Sequence, residues 1–166
     1  MIRIARLTDY GIVLLTHMAA RPHRLHNAAE LAGDVGLPAP TVSKLLRILA
    51  REGLLASHRG VKGGYGLAKP TDEISVASII RALEGPIALT TCNSDLPGEC
   101  AHEPLCPVRG PWHRINEAVR RALEGVRLSD MVVPPPVLQR YEPVDTVRPI
   151  EPHPEKRAQA TSLLRG

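Results

Sequence analysis

Aromatic residues are almost absent from this chain. It has no phenylalanine, and tryptophan and tyrosine together make up only 2% of the residues. We therefore expect a core built from aliphatic side chains. The same scarcity argues against proteins that bind single-stranded nucleic acid, because those proteins stack the bases on aromatic side chains.

Membrane, export and enzyme signatures are missing as well. No apolar run approaches the roughly 18 residues of a membrane span, and the N-terminal residues lack the apolar segment and cleavage site of a secretory signal. Gly63-Gly64-Tyr65-Gly66 is not followed by the residues of a phosphate-binding loop, and no HExxH occurs. We expect a cytoplasmic protein that has no membrane partner and is not an enzyme.

Positive charge is concentrated in the first part of the chain. Residues 1–70 contain ten Lys and Arg against four Asp and Glu, a balance of +6, whereas residues 71–166 contain eleven against thirteen, a balance of −2. Such an excess is often only a solvated surface, but it also attracts polyanions such as DNA.

Two short helices joined by a glycine turn are predicted within this basic part. Asn27 and Glu30 form a capping box that opens a helix over residues 28–35, and Gly36 supplies the turn. The next helix, over residues 38–52, has an apolar stripe on one side. Its other side carries a polar and basic set: Thr41, Ser43, Lys44, Arg47 and Arg51. This pattern is typical of a helix-turn-helix.

A basic β-hairpin follows the helix pair. Residues 54–58 and 65–68 can form two short strands, and the glycine-rich segment between them carries Arg59 and Lys62 at its tip. The hairpin predicts the wing of a winged helix-turn-helix. An exposed hairpin without a partner is the alternative, and the preceding helices make DNA binding the better interpretation.

The remaining segments complete a mainly α fold with a small β-hairpin wing. Thr8 is expected to cap the first helix. We divide the chain into a winged helix-turn-helix domain (1–89), a cysteine-containing loop (90–111), a dimerisation helix (112–127) and a Pro-rich, disordered tail (128–166). The helix over 112–127 has one apolar side, which fits either the core of its own subunit or a helix from a second subunit.

All three cysteines, Cys92, Cys100 and Cys106, lie within fifteen positions. The odd count and the missing export signal argue against a disulfide framework. Thiolates at this density suit an iron–sulfur cluster or zinc, and they leave either one protein ligand short. The candidates for the missing ligand are Asp9, Glu99, His102, Glu103 and His113.

The motifs described above resemble those of the IscR/NsrR-type winged-helix regulators of bacteria, the Rrf family. The resemblance covers about residues 1–130 and is carried by Leu7-Thr8-Asp9-Tyr10-Gly11, by residues 40–46, by the wing (59–68) and by the cysteine trio. Residues 83–90 and 106–110 are most similar to the regulators of SUF iron–sulfur assembly genes. The resemblance implies a homodimer that holds a [2Fe–2S] or [4Fe–4S] cluster through the three cysteines.

The fourth ligand departs from the IscR pattern. IscR-like members have a histidine three residues after the third cysteine, where this chain has Arg109. NsrR-like members use an N-terminal aspartate from the partner subunit, and Asp9 stands in the matching context. The resemblance therefore favours Asp9, followed by Glu99 and His102. A carboxylate in the first turn of a helix also has a sufficient structural cause of its own.

The expected function is an iron–sulfur-responsive regulator, most simply a repressor, that reads a palindromic operator in double-stranded DNA. Thr41, Ser43 and Lys44 would face base edges, Arg47, Arg51, Arg59 and Lys62 would hold phosphates, and Tyr65 would support the wing. The alternative is a winged-helix regulator that uses zinc or a thiol switch, or that senses nitric oxide or redox state.

Overall fold

The computed structural model describes residues 3–60, 63–94, 100 and 105–132, and these residues belong to one compact unit. The predicted tail from Pro134 onward, and Lys62, Glu99, His102 and Glu103, lie outside the described residues. Among the helices that the described part contains, none is long and apolar enough to cross a membrane.

Five α-helices and one two-stranded antiparallel sheet make up the described part, which confirms the predicted fold class. The order is α1 (Arg6–Ala19), α2 (Ala28–Val35), α3 (Ala39–Arg51), β1 (Leu55–His58), β2 (Gly64–Leu67), α4 (Val76–Glu84) and α5 (Arg109–Gly125). Two 3-10 helices, Thr91–Asn93 and Leu128–Met131, flank α5 in the sequence. In the sheet, Leu55 pairs with Leu67 and His58 pairs with Gly64.

The helix-turn-helix forms where its local signals predict it. The Asn27 side chain accepts a hydrogen bond from the Glu30 amide at 2.8 Å, and this bond caps α2. Gly36 then adopts a left-handed conformation with φ 66°, which lets the chain turn toward α3 at little steric cost. Pro40 lies in the first turn of α3, where a missing amide hydrogen does no harm.

The core is aliphatic, as the composition predicts. Leucine and isoleucine side chains from α1, α3 and α4 fill it, and the fully buried ones include Leu14, Leu15, Leu45, Leu46, Leu49 and Ile79. The apolar stripe of α3 therefore faces inward, and this helix turns its polar side to the surface.

The start of α1 differs from the prediction. The helix begins two residues before Thr8, with Ala5 at the cap position and no side-chain cap. Thr8 is fully buried, and its amide donates to the Ala5 carbonyl at 3.0 Å. The amide of Ala5 donates to Glu84 Oε1 on α4 at 2.9 Å. This carboxylate, distant in sequence, binds the amide of the residue before the helix, and Thr8 cannot act as the cap because it lies inside the first turn.

The predicted boundary of the tail at Leu128 is also wrong. Leu128 is fully buried in the core, and its amide donates to the Ile74 carbonyl at 2.8 Å. Val132 packs against the same core. After α5 the chain therefore returns to the core formed by the preceding helices. The prediction missed this return because it grouped residues 128–132, which contain no proline, with the proline-rich segment that follows.

The predicted helix over 112–127 is shifted toward the N-terminus. It begins three residues earlier, at Arg109, because the first turn tolerates Pro111, and it ends at Gly125. Val126 is extended, and its carbonyl accepts the Val76 amide at 2.9 Å. Arg127 and Ser75 form an isolated antiparallel bridge. These bonds join the end of α5 to the start of α4.

A buried histidine fastens the wing to the helices. The backbone of His26 pairs with that of Tyr65 in both directions, with N···O distances of 2.9 and 2.8 Å. The His26 side chain is fully buried, and its ring nitrogens make no hydrogen bond of normal geometry with the described residues. Burial lowers the pKa of His26 below 6.5, Arg24 adds to this, and Glu30 opposes it.

This burial predicts a loss of stability in mild acid. The unfolded chain takes up a proton on His26 below about pH 6.5, whereas the folded protein resists it, so the free energy of unfolding should fall as the pH drops. The slope from this residue is at most about 1.4 kcal/mol per pH unit. Urea denaturation between pH 5 and 8 measures it, and His26→Leu should show a smaller slope than the wild type. If the wild type and His26→Leu had equal slopes of unfolding free energy against pH, burial of His26 would not be the cause of the acid sensitivity.

Candidate functional site

The outer side of α3 presents the three predicted base-reading residues, Thr41, Ser43 and Lys44, and the predicted phosphate contact Arg47. Lys44 and Arg47 are exposed, while Thr41 and Ser43 are half-buried at the edge of the helix. The Nε of Arg47 donates to the Ser43 carbonyl at 3.1 Å, which holds the guanidinium near the first turns. Because the opposite side of α3 is packed in the core, this polar side is free to enter a groove of DNA.

Arg51 lies at the end of the same helix and is partly neutralised. Its Nε lies 3.1 Å from Glu52 Oε1, and both side chains are largely exposed. An exposed ion pair of this kind is weak, and a phosphate can replace the carboxylate. Arg51 is therefore still available as a phosphate contact.

The wing places one predicted phosphate contact at its tip. Arg59 is exposed directly after β1, and Gly60 follows with φ 115°. A Cβ at Gly63 would lie 2.4 Å from the His58 carbonyl oxygen, so this close turn requires glycine. Tyr65 is half-buried against the core, and its backbone pairs with His26. This position suits the supporting role predicted for it.

The cysteine loop begins with a well-defined polar arrangement. Cys92 Sγ lies 3.3 Å from Thr90 Oγ1, and the Asn93 side-chain amide donates to the same hydroxyl oxygen at 2.7 Å. The hydroxyl hydrogen is then available to a Cys92 thiolate. Cys92 also lines a cavity of about 350 Å³ together with Asn93, Arg109, Gly110 and His113.

All three cysteines are free thiols and half-buried. In their chemistry they fit a soft metal or an iron–sulfur cluster. Within the described residues, no three His, Cys, Asp or Glu side chains come together around one ion. In a [2Fe–2S] cluster each iron takes two of the protein ligands, and in a [4Fe–4S] cluster each iron takes one. The chemistry of the three thiols thus suits a cluster of either type as well as a zinc ion.

Asp9 lies apart from the cavity that Cys92 lines. It is exposed on α1 and lines a groove with Arg3, Ile4, Arg6, Ile12 and Glu84, among other residues. The described lining of this groove includes no cysteine. The resemblance assigns Asp9 to the cluster of a partner subunit, and this assignment stays a prediction.

An apolar stripe on α5 has no partner within the described residues. Trp112, Ile115 and Val126 are 38%, 47% and 41% exposed, and Val119 between them is half-buried. A different side of the helix packs on α4, with Asn116 as its one buried residue. Of the two interpretations open from the sequence, a helix from a second subunit is therefore the better one.

Asn116 is a functional candidate that sequence reasoning missed. Its side chain accepts from the Leu89 amide at 2.9 Å and donates to the Ile87 carbonyl at 3.0 Å. It thereby fastens the segment before Cys92 to α5. A polar residue between apolar positions of an amphipathic helix was the available signal.

A comparison with family profiles settles the class of protein. The profile of the Rrf2 family, described as iron-dependent transcriptional regulators, matches residues 4–134. The chain belongs to the Rrf2 family. It is accordingly a DNA-binding transcriptional regulator, as the motifs predict.

Several solved structures are similar to this fold. CymR (YrzC), the global cysteine regulator of B. subtilis, is 28% identical with a TM-score of 0.62, over 80% of this chain and 97% of that one. T. potens IscR is 25% identical with a TM-score of 0.58, over 79% and 86%. The oxidized form of S. aureus CymR is 27% identical with a TM-score of 0.59, over 82% and 100%. The family is confirmed, and the IscR/NsrR and SUF subtype stays a prediction.

Proposed function

We propose that this Rrf2 regulator controls iron–sulfur assembly (SUF) genes as a repressor whose DNA affinity depends on an iron–sulfur cluster. The observation that carries the proposal is the set of three free thiols between the winged domain and α5, with Cys92 in an open cavity. Cys92, Cys100 and Cys106 would hold the group. When bound, it would supply a redox-sensitive crosslink between these three points of the loop.

Operator recognition is assigned to α3 and the wing. Thr41, Ser43 and Lys44 read base edges in the major groove, and the arginines of α3 and the wing hold phosphates. A homodimer presents two such helices to half-sites about 34 Å apart. The exposed stripe of α5 joins the two subunits, because burying it removes the largest apolar side chains of this helix from water.

A continuous set of contacts connects the cysteine loop with the recognition helix. Asn116 fastens residues 87–89 to α5, and the Arg81–Glu124 ion pair at 3.9 Å joins α5 to α4. The helix α4 packs in turn on α3. A change in the conformation of the loop therefore shifts α5 relative to the winged domain and alters the distance between the two recognition helices.

Anaerobic purification tests the cluster directly. The wild type should be coloured, with iron and sulfide in proportion, and the loaded and unloaded forms should differ in operator affinity. Cys100→Ala should lose the visible absorption and keep the helical circular dichroism and the dimer mass. A colourless protein after attempted reconstitution would reject the cluster. Unfolding of Cys100→Ala would point to a structural metal instead.

A thiol switch is the second candidate function. One structural neighbour, S. aureus CymR, has an oxidized form, and this chain also has three free, partly exposed thiols. In that case a colourless protein would change its operator affinity on treatment with peroxide, and dithiothreitol would restore it. Lack of any response to both cluster loading and peroxide would reject both candidates.

Two alanine variants separate base reading from phosphate binding. Lys44→Ala should relax the sequence preference and cost about 1–3 kcal/mol on the preferred operator. Arg59→Ala should weaken binding to all sequences alike and reduce the slope of log affinity against log salt by about one. Binding curves on a selected operator and on a scrambled duplex, at several salt concentrations, measure both. If Arg59→Ala changed the preference and Lys44→Ala did not, the assignment of helix and wing would be reversed.

A further inference from the structure

The cavity beside Cys92 is lined by a second side chain of a type that binds metals. Cys92, in the 3-10 helix Thr91–Asn93, and His113, in the second turn of α5, both belong to its lining. Thiolate sulfur and imidazole nitrogen both bind iron and zinc well. The fold thus brings together two donors that are separated by the whole cysteine loop.

A backbone hydrogen bond joins Cys106 to the first residue of α5. The Arg109 amide donates to the Cys106 carbonyl at 3.3 Å, so Cys106 lies just before the first turn of α5. Arg109 and Gly110 of that turn line the cavity. The start of a helix favours negative charge, and a cluster held by thiolates is negatively charged. Cys92 therefore shares the cavity with His113, and Cys106 lies in the turn that leads into the helix carrying His113.

Asp9, the ligand favoured by the sequence resemblance, lines a different groove from the one beside Cys92. The groove that contains Asp9 also contains Arg3 and Arg6, and neither His113 nor Cys92 belongs to its lining. A single subunit thus offers an imidazole beside Cys92, whereas Asp9 would have to arrive from a second subunit.

We propose that His113 is the fourth protein ligand of the metal group held by Cys92, Cys100 and Cys106, through an imidazole nitrogen. This inference rests on the proposed function in that it needs a group bound to the cysteines. In this proposal all four protein ligands come from one subunit, and Asp9 is not a ligand.

Pulsed electron paramagnetic resonance of the reconstituted and dithionite-reduced protein, labelled with ¹⁵N-histidine, tests the ligand. Wild type and Asp9→Ala should show a strongly coupled histidine nitrogen, and His113→Ala should lose it. His113→Cys should still bind a cluster, with a shifted visible spectrum and no coupled nitrogen. His23→Ala, which removes another exposed histidine, is the matched control and should resemble the wild type. Coupling that survives in His113→Ala, or that is missing from the wild type, would overturn the proposal.

A cobalt(II) titration distinguishes failure of this inference from failure of the proposed function. If the wild type takes up no cluster but binds cobalt, the proposed iron–sulfur function fails, and the inference stands only if His113→Ala weakens cobalt binding by tenfold or more and changes its visible bands. Identical titrations of His113→Ala and the wild type would reject the inference. Absence of both cluster and cobalt from the wild type would reject both.

Discussion

Replacing Ile115 with glutamate should convert the proposed dimer into a monomer and largely abolish operator binding. Ile115 is 47% exposed at the centre of the apolar stripe of α5, between Trp112 and Val119. A carboxylate there would be buried without a partner in the proposed dimer, at a cost that a hydrophobic contact cannot offset. Each monomer would still fold, because the stripe lies outside the core of the described unit.

The expected loss of affinity is large because two linked half-site contacts become independent. Linking two binding modules raises overall affinity by about 10²–10⁴-fold, and the variant should lose a factor of this order. Analytical ultracentrifugation and operator titration measure the two effects. Arg114→Gln removes one positive charge, the same change in net charge, from a different side of the helix, and it should leave the dimer intact. A dimeric Ile115→Glu protein would show that α5 is not the interface.

Replacing Leu128 with alanine should destabilise the protein by about 2–5 kcal/mol, the usual cost of removing a buried leucine side chain. Leu128 is fully buried, and its amide bonds to the Ile74 carbonyl at the start of α4. The cavity left behind would loosen the end of α5 from the winged domain as well. Urea denaturation followed by circular dichroism measures the loss.

The matched control for Leu128 is the same substitution at an exposed site. Leu105 is 92% exposed, so Leu105→Ala should change the free energy of unfolding by no more than about 0.5 kcal/mol. If residues 128–132 belonged to a disordered tail, Leu128→Ala and Leu105→Ala would have the same free energy of unfolding. A difference of less than about 1 kcal/mol between them would therefore contradict the packing of Leu128.

The helix-turn-helix was predictable because its signals are local. Asn27 caps α2 through an amide three residues away, and Gly36 ends it one residue after the last helical position. The stripe of α3 repeats every three to four residues, so the buried side, and with it the exposed set around Lys44, follows from the sequence. Each of these features depends on neighbours within about one helical turn.

The sequence shows which donor atoms the cysteine loop offers, but it does not show how they are arranged in space. Three thiols within fifteen positions indicate a soft-metal or redox site whatever the fold. Their spacing carries no information about which other side chain approaches them, and five candidates were open. His113 stands out only because the 3-10 helix at Cys92 packs near the start of α5.

The sequence by itself determined the class of fold, the basic and polar side of α3 and the β-hairpin of the wing. Periodicity and capping are interactions between residues close in the chain, and they can be read without coordinates. Only the tertiary structure decided that Leu128 returns to the core, that Glu84 binds the amide just before α1 and that, among the described residues, the apolar stripe of α5 stays partly exposed. The first two features are contacts between residues more than fifty positions apart in the sequence. The third depends on which apolar surface of the fold is covered by another segment. Neither kind of contact can be read from a local sequence pattern.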